Sequence, residues 1–146
     1  MLRYYLFKNR LKKKNYSYLV RCDVREVLKQ TNSKTRYMTT ELIPQGNDRI
    51  LCVKVGKVPR KNLYEMTRKY WVVKLSRAST ATHVLAIINS IVVAVYIPQS
   101  WKMTEDKDHE GRCEFVGKED LNSDYIGKSV KEHYGKCRGP VRYINM

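Results

Sequence analysis

Five Lys or Arg residues lie within residues 8–14, and four tyrosines, at positions 4, 5, 16 and 18, stand on either side of them. Cations of this kind hold phosphates while ring faces stack on unpaired bases, as single-strand binders do. The candidate phosphate contacts here are Lys12, Lys13 and Lys14. A solvated basic turn would have the same composition and stays open as the alternative.

Arginines later in the chain supply forked donors that match a phosphate or a guanine edge. Arg68, Arg77 and Arg142 are the candidates for this role. Arg142 is the strongest of them, although pairing with Glu65 or Glu114 inside the fold would explain it equally well.

A Gly-Lys-Ser triplet at residues 127–129 has the ending of a phosphate-binding P-loop. That motif requires glycine five residues before Gly127, where this chain has Asn122. The P-loop interpretation is therefore rejected. Gly127 remains as a turn residue, with Lys128 and Ser129 as possible phosphate contacts.

The histidines and acidic residues give no recognisable catalytic or metal-binding motif. No His-x-Glu and Pro-Cys-x-x-Cys pair is present, which excludes a zinc deaminase. The acidic residues within 106–110 alternate with lysine and favour an exposed loop over a magnesium site. No catalytic residue, metal or cofactor is predicted. A metal-independent nuclease that uses Lys128, His133 and Tyr134 stays open.

The chain carries 29 basic and 14 acidic residues, for a formal net charge of +15. Residues 1–40 hold 11 basic and two acidic residues, whereas residues 102–146 hold nine of each. Such a field attracts polyanions because phosphate neutralisation releases counterions, so nucleic acid is the leading partner class. An anionic membrane, an acidic protein, a phosphorylated small molecule or a plain lysine-rich surface are the alternatives.

These residues must be positioned by a sheet built around the single long apolar run, Val84–Trp101. Asn89 and Ser90 form the short polar break of a tight hairpin turn between two β-branched strands. Pro98 and Gln99 interrupt the run further, which leaves too few apolar residues for a helix that crosses a membrane. The run is predicted to be a buried hairpin, and no membrane partner is predicted from it.

The remaining pattern predicts a single α+β domain over residues 1–146, with a mainly antiparallel curved sheet or small barrel and two or three short helices. The predicted elements outside the hairpin are a helix from Asp23 to Gln30, a strand at Arg49–Lys57, a helix at Leu63–Tyr70 with Asn62 as N-cap, a strand that begins at Trp71, a polar connector at Ser76–Thr82, a strand at Cys113–Val116 closed by Gly117, and a strand at Val141–Ile144. No export signal is recognisable, which predicts a cytoplasmic protein.

Five motifs in residues 63–143 carry a family resemblance. In order they are LYEMTRKYWVV, ATHVLAIINSIVVAVYIPQSW, GRCEFVGKE, DYIGKSVKEHYG and GPVRYIN. Together they resemble a little-characterised domain of prokaryotes and phages that is similar to the PUA-like group of small barrels, whose ASCH, EVE and YTH members bind RNA or modified bases. The resemblance places the barrel at residues 46–146 and leaves the basic residues 1–45 outside it.

The resemblance implies a base-sized slot between aromatic rings, and aromatic side chains at the ends of predicted elements are the candidates for it. These residues are Trp71, Trp101, Tyr125 and Tyr134. Stacking is worth about 1–3 kcal/mol per base. Both tryptophans would suit an ordinary hydrophobic core equally well.

The sequence thus predicts a non-catalytic domain that binds RNA, or a modified or unpaired base, by phosphate contacts and aromatic stacking. The second hypothesis is a phage or mobile-element accessory protein, acting in the host cytoplasm, that sequesters a nucleotide signal or blocks a host defence protein. The third is the metal-independent nuclease.

Overall fold

A computed structural model describes residues 40–56 and 62–146 of the protein. Within these residues the strands are β1 (Ile50–Lys54), β2 (Lys69–Trp71), β3 (His83–Ile88), β4 (Ile91–Met103), β5 (Cys113–Glu119) and β6 (Val141–Ile144). The helices are α1 (Leu63–Arg68), α2 (Leu75–Ala78) and α3 (Lys131–Tyr134), with a 3-10 turn at Lys107–His109. The predicted helix Asp23–Gln30 and the residues Lys12, Lys13 and Lys14 lie outside the described residues.

The six strands form one curled, mixed sheet in the order β2-β5-β4-β3-β1-β6. Four of the five strand pairs are antiparallel, and the β1–β3 pair is parallel. With three short helices in the described residues, this half-barrel confirms the predicted α+β fold with a mainly antiparallel, curved sheet. The parallel pair was not predicted; it requires the long crossover through residues 55–82.

The predicted hairpin at Val84–Trp101 is confirmed as strands β3 and β4. Ile88 faces Ile91 across a two-residue turn, and both turn residues have positive φ, 49° at Asn89 and 66° at Ser90. Two positive φ angles in succession are the signature of a type I′ turn, whose twist matches that of the strands it joins. The short polar pair therefore sets the register of the hairpin.

Both faces of the central strands are buried. In β1, Ile50 and Cys52 pack on one face while Leu51 and Val53 pack on the other. We call these the α3 face, which includes Tyr134 of α3, and the α2 face, which includes Ala78 of α2. Because side chains alternate along a strand, each face needs its own cover.

The local predictions for the helices are confirmed in part. Asn62 caps α1 by accepting a hydrogen bond from the Glu65 amide at 2.9 Å, as predicted. The helix ends at Arg68 rather than at Tyr70, because the next residues pair with β5 as strand β2. The prediction of a plain connector at residues 76–82 was wrong at its start: α2 forms there and buries Ala78 on the α2 face.

The prediction that Gly117 ends β5 was also wrong, since the strand continues to Glu119. Gly117 faces Pro98, and the register of β4 shifts between Pro98 and Ser100, which leaves Gln99 as an extra residue. A Cβ atom on Gly117 would lie 2.5 Å from the Ile97 carbonyl oxygen. Glycine therefore permits the close approach of the two strands at this bulge.

Substitution of Gly117 by alanine should separate β4 from β5 at the bulge. We expect Gly117→Ala to lower the free energy of unfolding by about 1–3 kcal/mol, measured by urea denaturation, because the methyl group meets backbone rather than a movable side chain. Gly139→Ala is the control, since its Cβ would meet only ordinary contacts at 3.7 and 3.9 Å. Equal losses in the two variants would contradict the close approach.

Candidate functional site

An open cleft of about 260 Å3 lies between the end of α2 and the bulge of β4. We call it the Trp101 cleft. Its lining residues are Ser79, Ala81, Pro98, Gln99, Ser100 and Trp101. The bulge places successive β4 residues in its wall, which a regular strand would direct to alternate faces.

Trp101 forms the aromatic wall of the cleft and is half-buried. Its ring packs on Phe115 with centroids 5.1 Å apart and an interplanar angle of 44°, which fixes it against the α2 face. The indole Nε1 is buried, and the described part of the chain offers it no hydrogen-bond partner. A buried donor left unpaired is costly, so this N–H lowers the stability of the fold as described.

The other polar groups of the cleft are uncharged. Gln99 and Ser100 are exposed, and within residues 40–56 and 62–146 neither side chain has a hydrogen-bond partner. The Ser79 hydroxyl is already used, since it donates to the Leu75 carbonyl at 2.8 Å. The cleft thus offers the Gln99 amide and the Ser100 hydroxyl beside the Trp101 ring, a set suited to a planar, polar, uncharged group.

Trp71 lies on the same face as Trp101 but has a different environment. Its Nε1 donates to the Thr67 carbonyl at 2.6 Å, and its ring packs against the core of the α2 face. Its polar atom is therefore satisfied within the fold. Trp71 is not among the residues that line the cleft.

Tyr125 and Tyr134 are buried on the α3 face, across the sheet from both tryptophans. The Tyr125 hydroxyl donates to Asp48 Oδ2 at 2.5 Å and accepts from the Gln45 amide at 2.8 Å. The Tyr134 hydroxyl donates to the carbonyls of Cys52 and Pro140 at 3.3 and 3.4 Å. The sheet separates these rings from Trp101, so the expected slot that combines Trp71, Trp101 and Tyr125 does not form.

Two of the predicted phosphate ligands are engaged within the fold. Arg68 Nε donates to Glu65 Oε1 at 2.7 Å and its Nη1 lies 3.8 Å from Glu114 Oε2, and the hydrogen bond to Glu65 raises the pKa of the Arg68 guanidinium. Arg77 is exposed, stacks over the Tyr143 ring at 4.0 Å and donates to the Met146 carbonyl at 2.8 Å. Arg77 has no acidic partner among the described residues, whereas the charge of Arg68 is already paired with Glu65 and Glu114.

Of the other predicted phosphate ligands, Ser129 and Lys128 are bonded within the fold and Arg142 is exposed. Ser129 is buried, and its backbone and hydroxyl hold neighbouring chain segments together through bonds to Thr40 and Lys131. Lys128 donates to Thr40 Oγ1 at 2.8 Å. Arg142 is exposed on β6, and the described residues place no carboxylate within ion-pair distance of it.

The groups considered for a nuclease each have a hydrogen-bond partner within the fold. His133 Nε2 lies 2.7 Å from the Leu42 carbonyl and so carries the proton that it donates there. The Tyr134 hydroxyl is bonded to two backbone carbonyls in the core, and Lys128 is bonded to Thr40.

Sequence reasoning found Trp101 but missed the residues beside it. Gln99 was treated only as an interruption of the apolar run and Ser100 was given no role, although a polar pair next to tryptophan was a usable signal. Arg49 was also missed: it is exposed, and its backbone exchanges hydrogen bonds with Thr82, next to the cleft residue Ala81.

Comparison of the chain with protein-family models, with curated proteins and with solved structures finds no match. The similarity to PUA-like domains therefore stays a prediction from the five motifs. Among the described residues no helix is long and apolar enough to cross a membrane.

The two tryptophans should respond differently to loss of the indole N–H. Trp71→Phe loses a hydrogen bond, worth about 0.5–1.5 kcal/mol, whereas Trp101→Phe removes an unpaired buried donor. Both variants lose the same ring volume. We therefore expect the free energy of unfolding of Trp101→Phe to exceed that of Trp71→Phe by at least about 1 kcal/mol, measured by urea denaturation without ligand. Equal stabilities would show that the Trp101 N–H is paired in solution.

Tyr125 should contribute stability that depends on pH. Burial, with the hydrogen bond to Asp48, raises the pKa of Tyr125 from 10 to about 12. The protonated phenol is therefore favoured by folding, so its contribution is complete below pH 10 and is lost as pH rises from 10 to 12.

We expect Tyr125→Phe to lower the free energy of unfolding at pH 8 by about 1–3 kcal/mol, and to reduce the further loss between pH 10 and 12. Urea denaturation at each pH measures both effects. Tyr134→Phe, which loses only two long bonds to carbonyls, is the control and should lose less at pH 8. An unchanged stability of Tyr125→Phe at pH 8 would rule out the bond to Asp48.

Proposed function

We propose that the protein is a non-catalytic nucleic-acid-binding protein that accepts one unpaired or modified base in the Trp101 cleft. The observation that carries the proposal is the half-buried Trp101 side chain that lines an open cleft beside the exposed polar side chains of Gln99 and Ser100. A nucleobase has both a face that stacks on an indole and an edge whose donors and acceptors an amide and a hydroxyl can bind.

The cleft chemistry favours a base over an anion as its occupant. The lining side chains carry no charge, so they would bind a neutral heterocycle and leave a phosphate without a counter-charge. Gln99 and Ser100 each offer both a donor and an acceptor, which matches the mixed edges of RNA and DNA bases. Arg49 and Arg77 lie near this end of the sheet as candidate contacts for the phosphates on either side of the base.

The charge of the whole chain supports a polymer as the partner. The described residues carry 15 basic and 12 acidic side chains, while the rest of the chain carries 14 basic and only two acidic ones. Most of the +15 net charge therefore belongs to residues outside the described ranges. A polyanion that occupies the cleft would also be attracted by this excess, and its affinity would fall steeply with salt.

Fluorescence of single-tryptophan variants tests the proposal, because Trp71 and Trp101 are the two tryptophans of the chain. A 15-mer single-stranded RNA, or the matching DNA, should quench the fluorescence of Trp71→Phe, in which Trp101 is the reporter. It should leave Trp101→Phe, in which Trp71 reports, nearly unchanged. Quenching in the second variant alone would contradict the assignment of the cleft.

The affinity for the 15-mer gives a second test of the Trp101 cleft. Loss of one stacked base costs about 1–3 kcal/mol, so Trp101→Ala should weaken binding of the 15-mer by roughly 5- to 150-fold in fluorescence anisotropy. Val72→Ala, an exposed apolar residue that does not line the cleft, is the control and should change affinity less than about twofold. Tight binding of a mononucleotide with a shallow salt slope would instead favour sequestration of a nucleotide signal. No binding of either polymer would refute the proposal.

A further inference from the structure

We infer a second phosphate-binding surface, separate from the Trp101 cleft, that holds nucleic-acid backbone without regard to base. It is formed by Lys54, Lys136, Arg138 and Arg142, which we call the Lys54 surface. The inference extends the proposed nucleic-acid function and rests on it for the identity of the ligand, but it uses different residues, a different face and the opposite end of the sheet.

Strand register brings Lys54 and Arg142 together. Arg142 of β6 faces Cys52 of β1, and Lys54 follows two residues later on the same face. Diagonal neighbours of this kind in an antiparallel pair lie about 7–8 Å apart. The Lys54 Nζ is held 4.0 Å above the centre of the Tyr134 ring, so its position is fixed by packing.

The loop from Gly135 to Pro140 brings the other two cations to the same place. It leaves Tyr134, whose carbonyl accepts from the Cys137 amide at 2.7 Å, and it returns to β1, where the Lys54 amide donates to the Pro140 carbonyl at 2.7 Å. Lys136 and Arg138 are each two residues from one of these anchors, a reach of at most about 7 Å. Both are exposed.

The four cations are not neutralised by acidic partners. In residues 40–56 and 62–146, no carboxylate lies within 4 Å of any of them, whereas Arg68, Lys69 and Lys102 elsewhere in the fold all have such partners. Unpaired like charges held close together raise the local potential and attract polyanions. Phosphates spaced along a nucleic-acid strand would supply the missing counter-charges.

The chemistry of the surface favours backbone over bases. The Tyr134 ring is buried and already covered by Lys54, so it offers no free face for stacking. The surface lies about 13 Å along β1 from the end of the sheet at which Ala81 lines the cleft, and on the opposite face. A duplex without unpaired bases could therefore bind here while the cleft stays empty.

A 15-base-pair DNA duplex separates the two sites, with anisotropy measured at several salt concentrations on the full chain. Lys54→Gln/Arg142→Gln should bind the duplex roughly tenfold more weakly than wild type, and its salt slope should fall by about two, one per phosphate contact. Lys107→Gln/Lys118→Gln removes the same charge from exposed sites away from the surface and is the matched control. Trp101→Ala should bind the duplex as wild type does.

The double variant Lys136→Gln/Arg138→Gln makes the same test with two residues of an exposed loop. It leaves the contact between Lys54 and the Tyr134 ring in place, so weaker duplex binding by this variant could not be caused by loss of that contact. Equal duplex affinities for both surface variants and the control would overturn the inference, as would a wild-type protein that binds no duplex. In either case, loss of single-stranded RNA binding in Trp101→Ala would still support the cleft. Conversely, weaker duplex binding by the surface variants with no effect of Trp101→Ala on RNA would support the Lys54 surface and refute the cleft.

Discussion

Burial of the central strands on both faces is the constraint on which the rest of the fold depends. β1 and β3 are parallel neighbours whose side chains enter two separate cores, with Leu51 and Val84 on the α2 face and Cys52 and Leu85 on the α3 face. Parallel strands of this kind need cover on both sides. The crossover that joins them provides α1 and α2 for one face, and the segment through Tyr125 and α3 covers the other.

This two-sided arrangement explains why the binding residues separate as they do. Trp71 and Trp101 lie in strands whose side chains pack on the α2 face, whereas Tyr125 and Tyr134 come from the turn and the helix that cover the α3 face, so the sheet keeps the two pairs of rings apart. The exception lies at the bulge around Gln99, where the strand departs from strict alternation and opens a cleft beside Trp101. The irregular part of the sheet thus presents two polar side chains, Gln99 and Ser100, that have no hydrogen-bond partner among the described residues.

Local chemistry determined which parts of the fold were predictable. The turn at Asn89 and Ser90 and the cap at Asn62 depend on neighbouring residues, so the sequence indicated both. The parallel pairing of β1 with β3 and the passage of β5 through Gly117 depend on strands that are distant in sequence, and no local pattern specifies them. Trp101 could be selected as a candidate because tryptophan is a residue type that stacks on bases. Its partners in the cleft depend on a register shift that only the folded sheet shows.

The position of β1 between β3 and β6 has a consequence for how the chain reaches its native state. Ile50 pairs with His83 on one side and with Ile144, about 90 residues later, on the other. The β3–β4 hairpin closes through a two-residue turn and can form early, but β1 gains its second neighbour only after a long loop has closed. High contact order of this kind predicts folding in milliseconds to seconds, with the edge of β1 exposed to other chains until β6 docks.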